Sequence, residues 1–447
     1  MKILSTPISN WRLNMKILCA LMLFISGKSY ATDHFEASYK LAKEGKSKFE
    51  LGRMLFFDKI LSGNRNISCA TCHNPLLFTG DAISLPIGEG GKGLGSTRNA
   101  GKVKVRVPRN SPAVFNLGGP EFTSLFHDGR VEINEKFPSG IKTPMGMDLP
   151  DGLTGTLAAQ ALFPLLSDSE MAGDKGENSV GDAVAEGQNI KAWNLLIKRL
   201  RNIPEYVERF QNAYSDEVTD AKDINIVQVA NTLAIFQSQA FSTLNSPYDQ
   251  YSYGDQEIIS ESAKRGGELF KGKAKCITCH SGQLQTDYKF HAIAMPPIGP
   301  GKGDGEKGYD DFGREQVTGD ILDRYKFRTP SLRNVAVTGP WGHNGAYGNL
   351  RDVVVHHIYP EKMLKNYTIE KAYLPTRADL DQQDIGALKD KNLLDAILNA
   401  SELPKVNLSD KEIDDVVNFL HCLTDLSVYD LHRIIPKKVP SGISLAD

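Results

Sequence analysis

Apolar residues recur at steps of three and four along several stretches of the chain, which is the spacing of one face of a helix. In the clearest stretch the apolar face is formed by Trp193, Leu196, Ile197 and Leu200. Ser409, a residue type that caps helix N-termini, opens the last such segment. The pattern predicts four clear helices, at residues 192–200, 226–241, 350–358 and 409–423.

Alternation of apolar and polar residues, the mark of a strand, is confined to residues 102–107. The 40 glycines and 22 prolines are scattered without a period, which indicates long ordered loops and not a low-complexity chain. Residues 246–254, rich in Ser, Tyr, Asp and Gly, are predicted to form a linker between two domains. The fold is therefore predicted to be mainly α, with long irregular loops.

The length of the chain predicts its number of domains, and its charge and apolar runs exclude two classes of function. A chain of 447 residues predicts two or three domains, at about 150 residues each. The net charge of −2, from 52 basic and 54 acidic residues, provides no basic stripe for nucleic acid. No apolar run reaches the roughly 20 residues that a membrane-spanning helix needs, so no stable membrane insertion is expected.

The first 31 residues have the organisation of an export signal. Two basic residues precede a short apolar run, 17–25, and small residues follow up to Ala31. We predict a signal peptide over residues 1–31, cleavage after Ala31 and a periplasmic protein, with an uncleaved anchor as the alternative. The string Met-Lys-Ile-Leu occurs twice, so either Met1 or Met15 starts the chain.

The cysteine pattern indicates the chemistry. Two strings match C-x-x-C-H, the attachment signature of c-type haem: Cys69-Ala-Thr-Cys72-His73 and Cys276-Ile-Thr-Cys279-His280. Two thiols would bind one haem covalently, and the adjacent histidine would bind its iron. The alternatives are a four-cysteine zinc site, a thioredoxin-like pair and two small disulfide loops. Two such strings behind an export signal favour two covalently bound haem c groups.

A weak internal repeat supports two haem domains. Gly52-Arg-Met-Leu-Phe56 precedes the first haem string, and Gly266-Gly-Glu-Leu-Phe270 precedes the second. Each repeat is predicted to end a helix that leads into a haem loop. We therefore predict two cytochrome c-like haem domains, 32–250 and 251–447, with loop insertions in the first.

Together with further motifs that follow in the family's order, these strings resemble those of the bacterial di-haem cytochrome c peroxidases and their MauG-type relatives. The motifs are Leu61-Ser-Gly63, His73-Asn-Pro75, Arg109-Asn-Ser-Pro112, His127-Asp-Gly-Arg130, Lys326-Phe-Arg-Thr-Pro-Ser-Leu-Arg-Asn334, Thr338-Gly-Pro340 and His343-Asn-Gly345. The resemblance implies that the N-terminal haem reacts with H₂O₂ and that the C-terminal haem stores or relays an electron. Two irons can hold both oxidising equivalents of peroxide, whereas electron donors of this kind give one electron at a time.

A peroxide-reactive iron needs an open sixth position and an acid–base group beside it. The family places that carboxylate in a Pro-x-Glu-Met string, but this chain has Gly146 at the position of the Glu. We predict Glu170, in a later Glu-Met pair, with a surface carboxylate as the alternative. Where the peroxidases carry a histidine in Ile-Gly-His-Gly, this chain has Glu89, a second acid or a loop residue. The missing histidine implies an iron that is open without prior reduction.

Two further positions depart from the family pattern. The Trp that bridges the haems is replaced by His127, which is less easily oxidised and has a hydrogen bond to a haem propionate as its alternative role. The sixth ligand of the second haem, Met in the peroxidases and Tyr in MauG, falls seven residues after a Leu. Counting from Leu350 gives His357, with His356 and Tyr359 as alternatives. Helix geometry predicts that His357 faces the apolar side and that His356 turns away.

Two smaller sites are also predicted. The resemblance implies one Ca²⁺ ion between the domains, with ligands that map to Asn110, Thr338 and Pro340, and hard oxygen ligands suit Ca²⁺. Cys422 is the odd cysteine of the exported chain. We predict that it is free and buried, with an intermolecular disulfide in a homodimer as the alternative.

The resulting prediction is an enzyme, a periplasmic peroxidase. It would reduce H₂O₂ with electrons that a small cytochrome or cupredoxin delivers through the C-terminal haem. The first alternative is a MauG-type oxidase that uses the same haems to oxidise a partner protein. The second is a plain electron carrier with both irons six-coordinate, against which Glu170 and the missing histidine argue.

Overall fold

The computed structural model describes residues 45–446, so the predicted signal peptide, 1–31, lies outside the described residues. Helices dominate, as predicted, and none of those in residues 45–446 is long and apolar enough to cross a membrane. The α-helices of the described chain are α1 Lys46–Phe57, α2 Cys69–Cys72, α3 Thr156–Gln160, α4 Ser179–Ala185, α5 Asn189–Arg201, α6 Pro204–Ala213, α7 Ile226–Ala240, α8 Pro247–Ser252, α9 Glu261–Lys271, α10 Glu315–Thr318, α11 Leu350–Ile358, α12 Pro360–Lys365, α13 Ala378–Asp384, α14 Lys391–Asn399 and α15 Asp410–His421.

The four helices predicted from the apolar spacing are confirmed within a few residues, as α5, α7, α11 and α15. Ser409 caps α15 as predicted: its hydroxyl accepts the N–H of Glu412, whose carboxylate accepts the N–H of Ser409 at 2.8 Å. Asn225 and Gln228 form the same reciprocal pair at the start of α7. Such pairs satisfy N–H groups that have no partner within the helix, so they fix where each helix begins.

Strands are short, and they form two small antiparallel sheets in the described chain. The first sheet contains β1 Ser124–Leu125, β2 Val131–Ile133 and β3 Ile141–Lys142, in that order. The second pairs β4 Phe290–His291 with β5 Phe327–Arg328. Both sheets lie in the long loops that connect the helices, and β5 belongs to one of the motifs quoted above.

The strand predicted at residues 102–107 is absent, and this prediction was wrong. Long side chains from a distant segment take the place of a neighbouring strand: Arg377 donates to the carbonyl oxygens of Gly101, at 2.9 Å, and Val103. Arg106 is fully buried and pairs with Asp384. The alternation therefore reflects a buried ion pair, which a residue pattern alone does not distinguish from a sheet face.

In each half of the chain, two helices pack closely against each other at the internal repeat. Helix α1 packs against α7, and α9 packs against α15. A Cβ atom on Gly52 would lie 2.3 Å from the carbonyl oxygen of Thr232, and one on Gly266 would lie 1.9 Å from that of Asp415. The backbones approach too closely for any side chain at these positions, so the repeated glycines are packing residues.

The segment predicted to be a linker contains helix α8, which the sequence analysis did not predict, and its place between two domains stays a prediction. Ser246 and Asp249 cap that helix reciprocally, with Pro247 in its first turn. Asp249 is buried and also pairs with Arg333. The string Ser-Pro-x-Asp is a helix start and not a flexible connection, because each polar side chain satisfies the backbone of the other.

The segment that follows α15 returns to the N-terminal half of the chain. Three of its apolar residues join the hydrophobic core of that half: Val428, Leu431 and Val439. The hydroxyl of Ser441 donates to Asp58 at 2.7 Å, and the ammonium group of Lys59 donates to the carbonyl oxygen of Ala446 at 2.7 Å. Part of the predicted second domain, 251–447, is thus packed against the first haem domain.

Replacing Gly266 by Ala should destabilise the protein, because the new methyl group would collide with the backbone of α15. We expect the free energy of unfolding of the holoprotein to fall by about 1–3 kcal/mol, the usual cost of overpacking. Urea denaturation monitored by circular dichroism measures this change.

Gly267→Ala is the matched control in the same helix. Its methyl group would meet only the ring of Phe419, at 3.2 Å, and Ala favours a helix over Gly by about 1 kcal/mol. Equal unfolding midpoints for the two variants would contradict the role assigned to Gly266.

Candidate haem sites and the interface between them

The first haem string forms the short helix α2, and its own side chains hold it in place. The N–H of Ser68 donates to the hydroxyl of Thr71 at 3.1 Å. Nδ1 of His73 lies 3.1 Å from the carbonyl oxygen of Thr79. Because a carbonyl oxygen only accepts, Nδ1 carries the proton, and Nε2 is left as the nitrogen that can bind a metal. Burial lowers the pKa of His73, which keeps the ring neutral, as metal binding requires.

The second haem string folds around its histidine in the same way. Residues Cys276–Thr278 form a 3₁₀ turn, and Nδ1 of His280 lies 3.0 Å from the carbonyl oxygen of Gln285. Nε2 of His280 is therefore also the metal-binding nitrogen. All the described cysteines are free, which excludes the disulfide alternative. Two free thiols beside an oriented imidazole are the groups that covalent haem attachment needs.

A four-cysteine zinc site is also excluded within residues 45–446. In that part of the chain, one group of His, Cys, Asp and Glu side chains is close enough to share a metal ion: Cys279, Asp287 and His291. This group draws one cysteine from the second string and none from the first. The two C-x-x-C pairs therefore lie at separate sites, as two haem groups require.

His357 lies across from His280, with the two ring centroids 6.5 Å apart. Nδ1 of His357 donates to the carbonyl oxygen of Val353 at 2.8 Å, so Nε2 is again the free nitrogen. An imidazole nitrogen binds a transition metal at about 2 Å, and the ring centre lies roughly 1 Å behind it, so two rings on one metal have centres about 6 Å apart. The observed spacing fits one iron between these histidines.

His356 is placed differently from the prediction: it is fully buried and does not turn away from the core. Its Nε2 donates to the carbonyl oxygen of Ile293 at 2.8 Å, and its Nδ1 accepts from the hydroxyl of Tyr347 at 2.9 Å. Because both nitrogens are occupied, His356 is a poor candidate for the iron. The hydroxyl of Tyr359 is likewise engaged, with Asn407 at 2.7 Å.

Glu170 lies in a single π-helical turn, Asp168–Ala172, a local geometry that is frequent at functional sites. Burial raises the pKa of the Glu170 carboxyl group, and the positive charges of Arg130 and Lys302 offset part of that rise. Arg130 belongs to the N-terminal half of the chain and Lys302 to the glycine-rich loop of the other half. A carboxyl group with a raised pKa and cationic neighbours is suited to accept and return a proton.

Glu89 is fixed beside the same turn. Its N–H donates to the carbonyl oxygen of Ser169 at 2.9 Å. Its carboxylate accepts from the side-chain amides of Asn64, at 2.9 Å, and Asn66, at 2.6 Å. The structure therefore brings Glu89 and Glu170 into one neighbourhood, but the carboxylate of Glu89 is committed to two amides.

A network of buried charges joins the two halves of the chain. Arg109 pairs with Asp128 at 2.5 Å and with Asp311, from the other half, at 2.7 Å. Arg130 also pairs with Asp128, at 3.1 Å. Burial alone would raise the pKa of Asp128, but Arg109 and Arg130 outweigh burial and lower it. Each of these charges is compensated by a partner, which buried ions require.

His127, predicted to lie between the haems, is bonded into this interface. Its Nε2 donates to the carbonyl oxygen of Asn110 at 3.1 Å, and its own carbonyl oxygen accepts from the N–H of Arg328 at 2.7 Å. Burial, and then the charge of Arg109, lowers the pKa of His127 to about 4. The ring is therefore neutral near pH 7, and its Nε2 is not available to a propionate.

The sequence did not predict which side chains from distant motifs meet at this interface. The ring of His343 stacks on Phe327 with centroids 3.6 Å apart, and the guanidinium of Arg109 lies 5.5 Å from the same Phe327 ring. All three residues belong to motifs that carried the family resemblance. The motifs themselves were the available signal, because motifs that are distant along the chain must meet somewhere in the fold.

Asn110, the first calcium candidate, is connected to the loop that carries the other two. Its N–H donates to the carbonyl oxygen of His343 at 2.8 Å, three residues after Pro340. Its side-chain nitrogen donates to the carbonyl oxygen of Ile83 at 3.0 Å, which turns the amide oxygen away from that carbonyl. Amide and carbonyl oxygens are ligands that Ca²⁺ prefers, and the calcium site stays a prediction.

Cys422 is free, as predicted, but it is only partly buried, so that part of the prediction was wrong. It directly follows α15, and its Sγ lies 3.4 Å from the carbonyl oxygen of Asn418. The apolar face of this helix predicted burial. The residue lies where the helix ends, and its side chain stays partly exposed to solvent.

Comparison with known proteins agrees with this architecture. A family model described as di-haem cytochrome c peroxidase matches residues 46–257. The methylamine utilization protein MauG of Methylorubrum extorquens is 32% identical over 70% of this chain and 68% of its own length. The cytochrome-c peroxidase IdrP1 of Denitromonas iodatirespirans is 30% identical over 69% of this chain and 72% of its own length. The chain belongs to the di-haem cytochrome c peroxidase family, a family of oxidoreductases with two c-type haems.

Two solved structures share the fold. A MauG-like protein associated with microbial copper homeostasis has a TM-score of 0.57 and 24% identity over 86% of this chain and 91% of that one. The di-haem peroxidase BthA of Burkholderia thailandensis has a TM-score of 0.55 and 19% identity over 90% of this chain and 91% of that one. These likenesses confirm the mainly α fold.

His357→Ala should remove the sixth ligand of the second haem. We expect the low-spin signal of that haem in the electron paramagnetic resonance spectrum to be replaced by a high-spin signal, because His357 is the imidazole that lies 6.5 Å from His280.

His356→Ala is the control, because its nitrogens are bonded to protein groups. The low-spin signal should survive in this variant, while the free energy of unfolding falls by about 1–3 kcal/mol, since a buried hydroxyl and a carbonyl lose their partner. Survival of the low-spin signal in His357→Ala would rule out His357 as the ligand.

Proposed function

We propose that the protein is a peroxidase that reduces H₂O₂ at its N-terminal haem and receives electrons through its C-terminal haem. One observation carries the proposal, an asymmetry between the two sites. His280 faces a second imidazole, whereas none of the ring contacts in the described chain pairs His73 with another histidine. The second iron would thus be closed on both sides, and the first would keep a position for peroxide.

The reaction needs two electrons and two protons for each H₂O₂, which becomes two molecules of water. When bound, the haem supplies the redox chemistry. Glu170 would accept the proton of the attacking oxygen and return it to the departing hydroxide, which leaves as water. Its raised pKa supports both steps, because the carboxylate must be basic enough to take the proton and acidic enough to return it.

The surroundings of the two haem strings support electron delivery at the second one. Ala70 and Thr71, between the first pair of cysteines, are buried. Ile277, between the second pair, is 41% exposed. An apolar side chain beside an accessible haem string is suited to contact a small electron-donor cytochrome or cupredoxin, because such complexes use small contact areas.

The location and the calcium ion are parts of the same proposal. The export signal read in residues 1–31 supports a periplasmic site of action. Asn110, Thr338 and Pro340 would hold one Ca²⁺ between the halves of the chain, and all three residues carry oxygen donors.

Glu170→Gln should slow the reaction with H₂O₂ by about 10²–10⁴, the usual contribution of a general acid–base group. Stopped-flow absorption of the holoprotein measures this rate. Because burial raises the pKa of Glu170, the wild-type rate should also fall as the pH decreases through that raised pKa, since the protonated carboxyl cannot accept a proton. Glu170→Gln should lack this dependence.

Asp168→Asn is the matched control, because it removes an exposed carboxylate from the same turn. Its rate with H₂O₂ should stay close to that of the wild type. An unchanged rate in Glu170→Gln, with both haems in place, would rule out Glu170.

Ile277→Asp should raise the KM for a reduced small cytochrome in steady-state turnover and leave the reaction of the isolated protein with H₂O₂ unchanged. Leu76→Asp provides the control, because Leu76 is 56% exposed and lies close after the first haem string. A larger effect of Leu76→Asp than of Ile277→Asp would place electron delivery at the other haem.

A MauG-type protein oxidase is the second candidate, because a protein named MauG is among the relatives above 30% identity. Rapid steady-state reduction of H₂O₂ with a small cytochrome favours the peroxidase. Consumption of H₂O₂ by the isolated protein without such turnover favours the oxidase. A resting protein that does not react with H₂O₂ would contradict both enzyme functions and favour a plain electron carrier.

A further inference from the structure

The arginines at the interface between the two halves differ in whether they pair with a carboxylate. Arg109 and Arg130 share Asp128, and Arg314 pairs with Glu132 at 2.5 Å. Arg328 lies in the same interface, and within residues 45–446 it forms no ion pair with a carboxylate. Arg328 is therefore a cation without a carboxylate partner among the described residues.

The side chain of Arg328 packs against residues 122–126. Its Nε donates to the carbonyl oxygen of Phe126 at 3.3 Å, and its guanidinium carbon lies 5.6 Å from the centre of the Phe122 ring. Its Nη1 is buried without a hydrogen-bond partner. The backbone N–H of Arg328 donates to the carbonyl oxygen of His127 at 2.7 Å, which links strand β5 to that segment.

Burial lowers the pKa of Arg328 to about 10, which still leaves the group fully charged near pH 7. The side chain of Arg328 is partly buried, so a charge without a counter-ion is unfavourable there, and the buried Nη1 without an acceptor adds to that cost. An anionic acceptor at Nη1 in the folded holoprotein would supply both the missing counter-ion and the missing hydrogen-bond partner.

The location of Arg328 indicates which anion this is. The next residue in the chain, Thr329, accepts at its carbonyl oxygen from the hydroxyl of Thr286 at 2.8 Å. Thr286 directly follows Gln285, whose carbonyl oxygen orients His280. Arg328 is thus attached to the loop that holds the proximal histidine of the second haem, and haem carries two carboxylate groups at its edge.

We propose that Arg328 binds a propionate of the haem attached at Cys276 and Cys279, and that it thereby sets the reduction potential of that haem. A nearby positive charge stabilises the reduced form of a haem, which carries one more negative charge than the oxidised form. Through its bonds to the carbonyl oxygens of Phe126 and His127, Arg328 would also connect that propionate to the segment that we predict to lie between the haems.

Arg328→Gln in the holoprotein tests the proposal by spectroelectrochemical titration of both haems. We expect the midpoint potential of the second haem to fall by about 59 mV, which corresponds to a tenfold change in its equilibrium constant for reduction. Arg324→Gln is the matched control in the preceding loop, because Arg324 already pairs with Glu315; its potential should equal that of the wild type. Arg328→Lys, which keeps the charge, should recover most of the shift.

A second measurement serves if Arg328→Gln does not fold or does not bind haem. Resonance Raman spectra of Arg328→Lys and wild-type holoprotein compare the propionate bending bands, which should shift because Lys cannot donate two parallel hydrogen bonds. An unchanged midpoint potential in a folded Arg328→Gln, a shift confined to the first haem, or unchanged propionate bands in Arg328→Lys would each overturn the proposal. None of these readouts requires turnover with H₂O₂, so failure of the peroxidase function would not affect them.

Discussion

The hydrogen bond that each histidine makes through one ring nitrogen determines what the other nitrogen can do. His73, His280 and His357 all direct Nδ1 at a backbone carbonyl oxygen, at 3.1, 3.0 and 2.8 Å. A carbonyl cannot donate, so each Nε2 keeps its lone pair for a metal. His356 shows the opposite case, because a hydroxyl and a carbonyl occupy both of its nitrogens. The difference between two adjacent residues on one helix is therefore a difference in hydrogen-bond partners and not in residue type.

This constraint separates the local from the long-range parts of the haem sites. The carbonyl oxygens that orient His73 and His280 lie only six and five residues further along the chain. Each proximal site is therefore complete within one loop. The ring that faces His280 comes from a helix far along the chain, and the charges around Asp128 come from both halves. Ligand orientation is built locally, and the environment that tunes each haem is built by the whole fold.

The same division explains how far the sequence could predict the structure. The haem strings, the helices α5, α7, α11 and α15, and the repeat that precedes each haem are local patterns, and the structure has all of them. The strand wrongly predicted at residues 102–107 and the unpredicted helix α8 both lie where a distant arginine bonds the segment: Arg377 in one case and Arg333 in the other. His356 was misplaced for the same reason, because nothing in the helix shows that Tyr347 and Ile293 would meet it. Pairings of this kind depend on tertiary contacts that spacing along a chain does not encode.

The return of the C-terminal segment to the N-terminal half has a consequence for assembly. Val428, Leu431 and Val439 complete a core whose other members begin near Leu51, and Ser441 bonds to Asp58. If the protein is exported N-terminus first, as we propose, residues 428–441 cross the membrane after the other members of that core. The core of the N-terminal half therefore stays incomplete until these residues have packed against it. Closing so long a loop makes folding slower, which would leave more time for covalent attachment of a haem at Cys69 and Cys72.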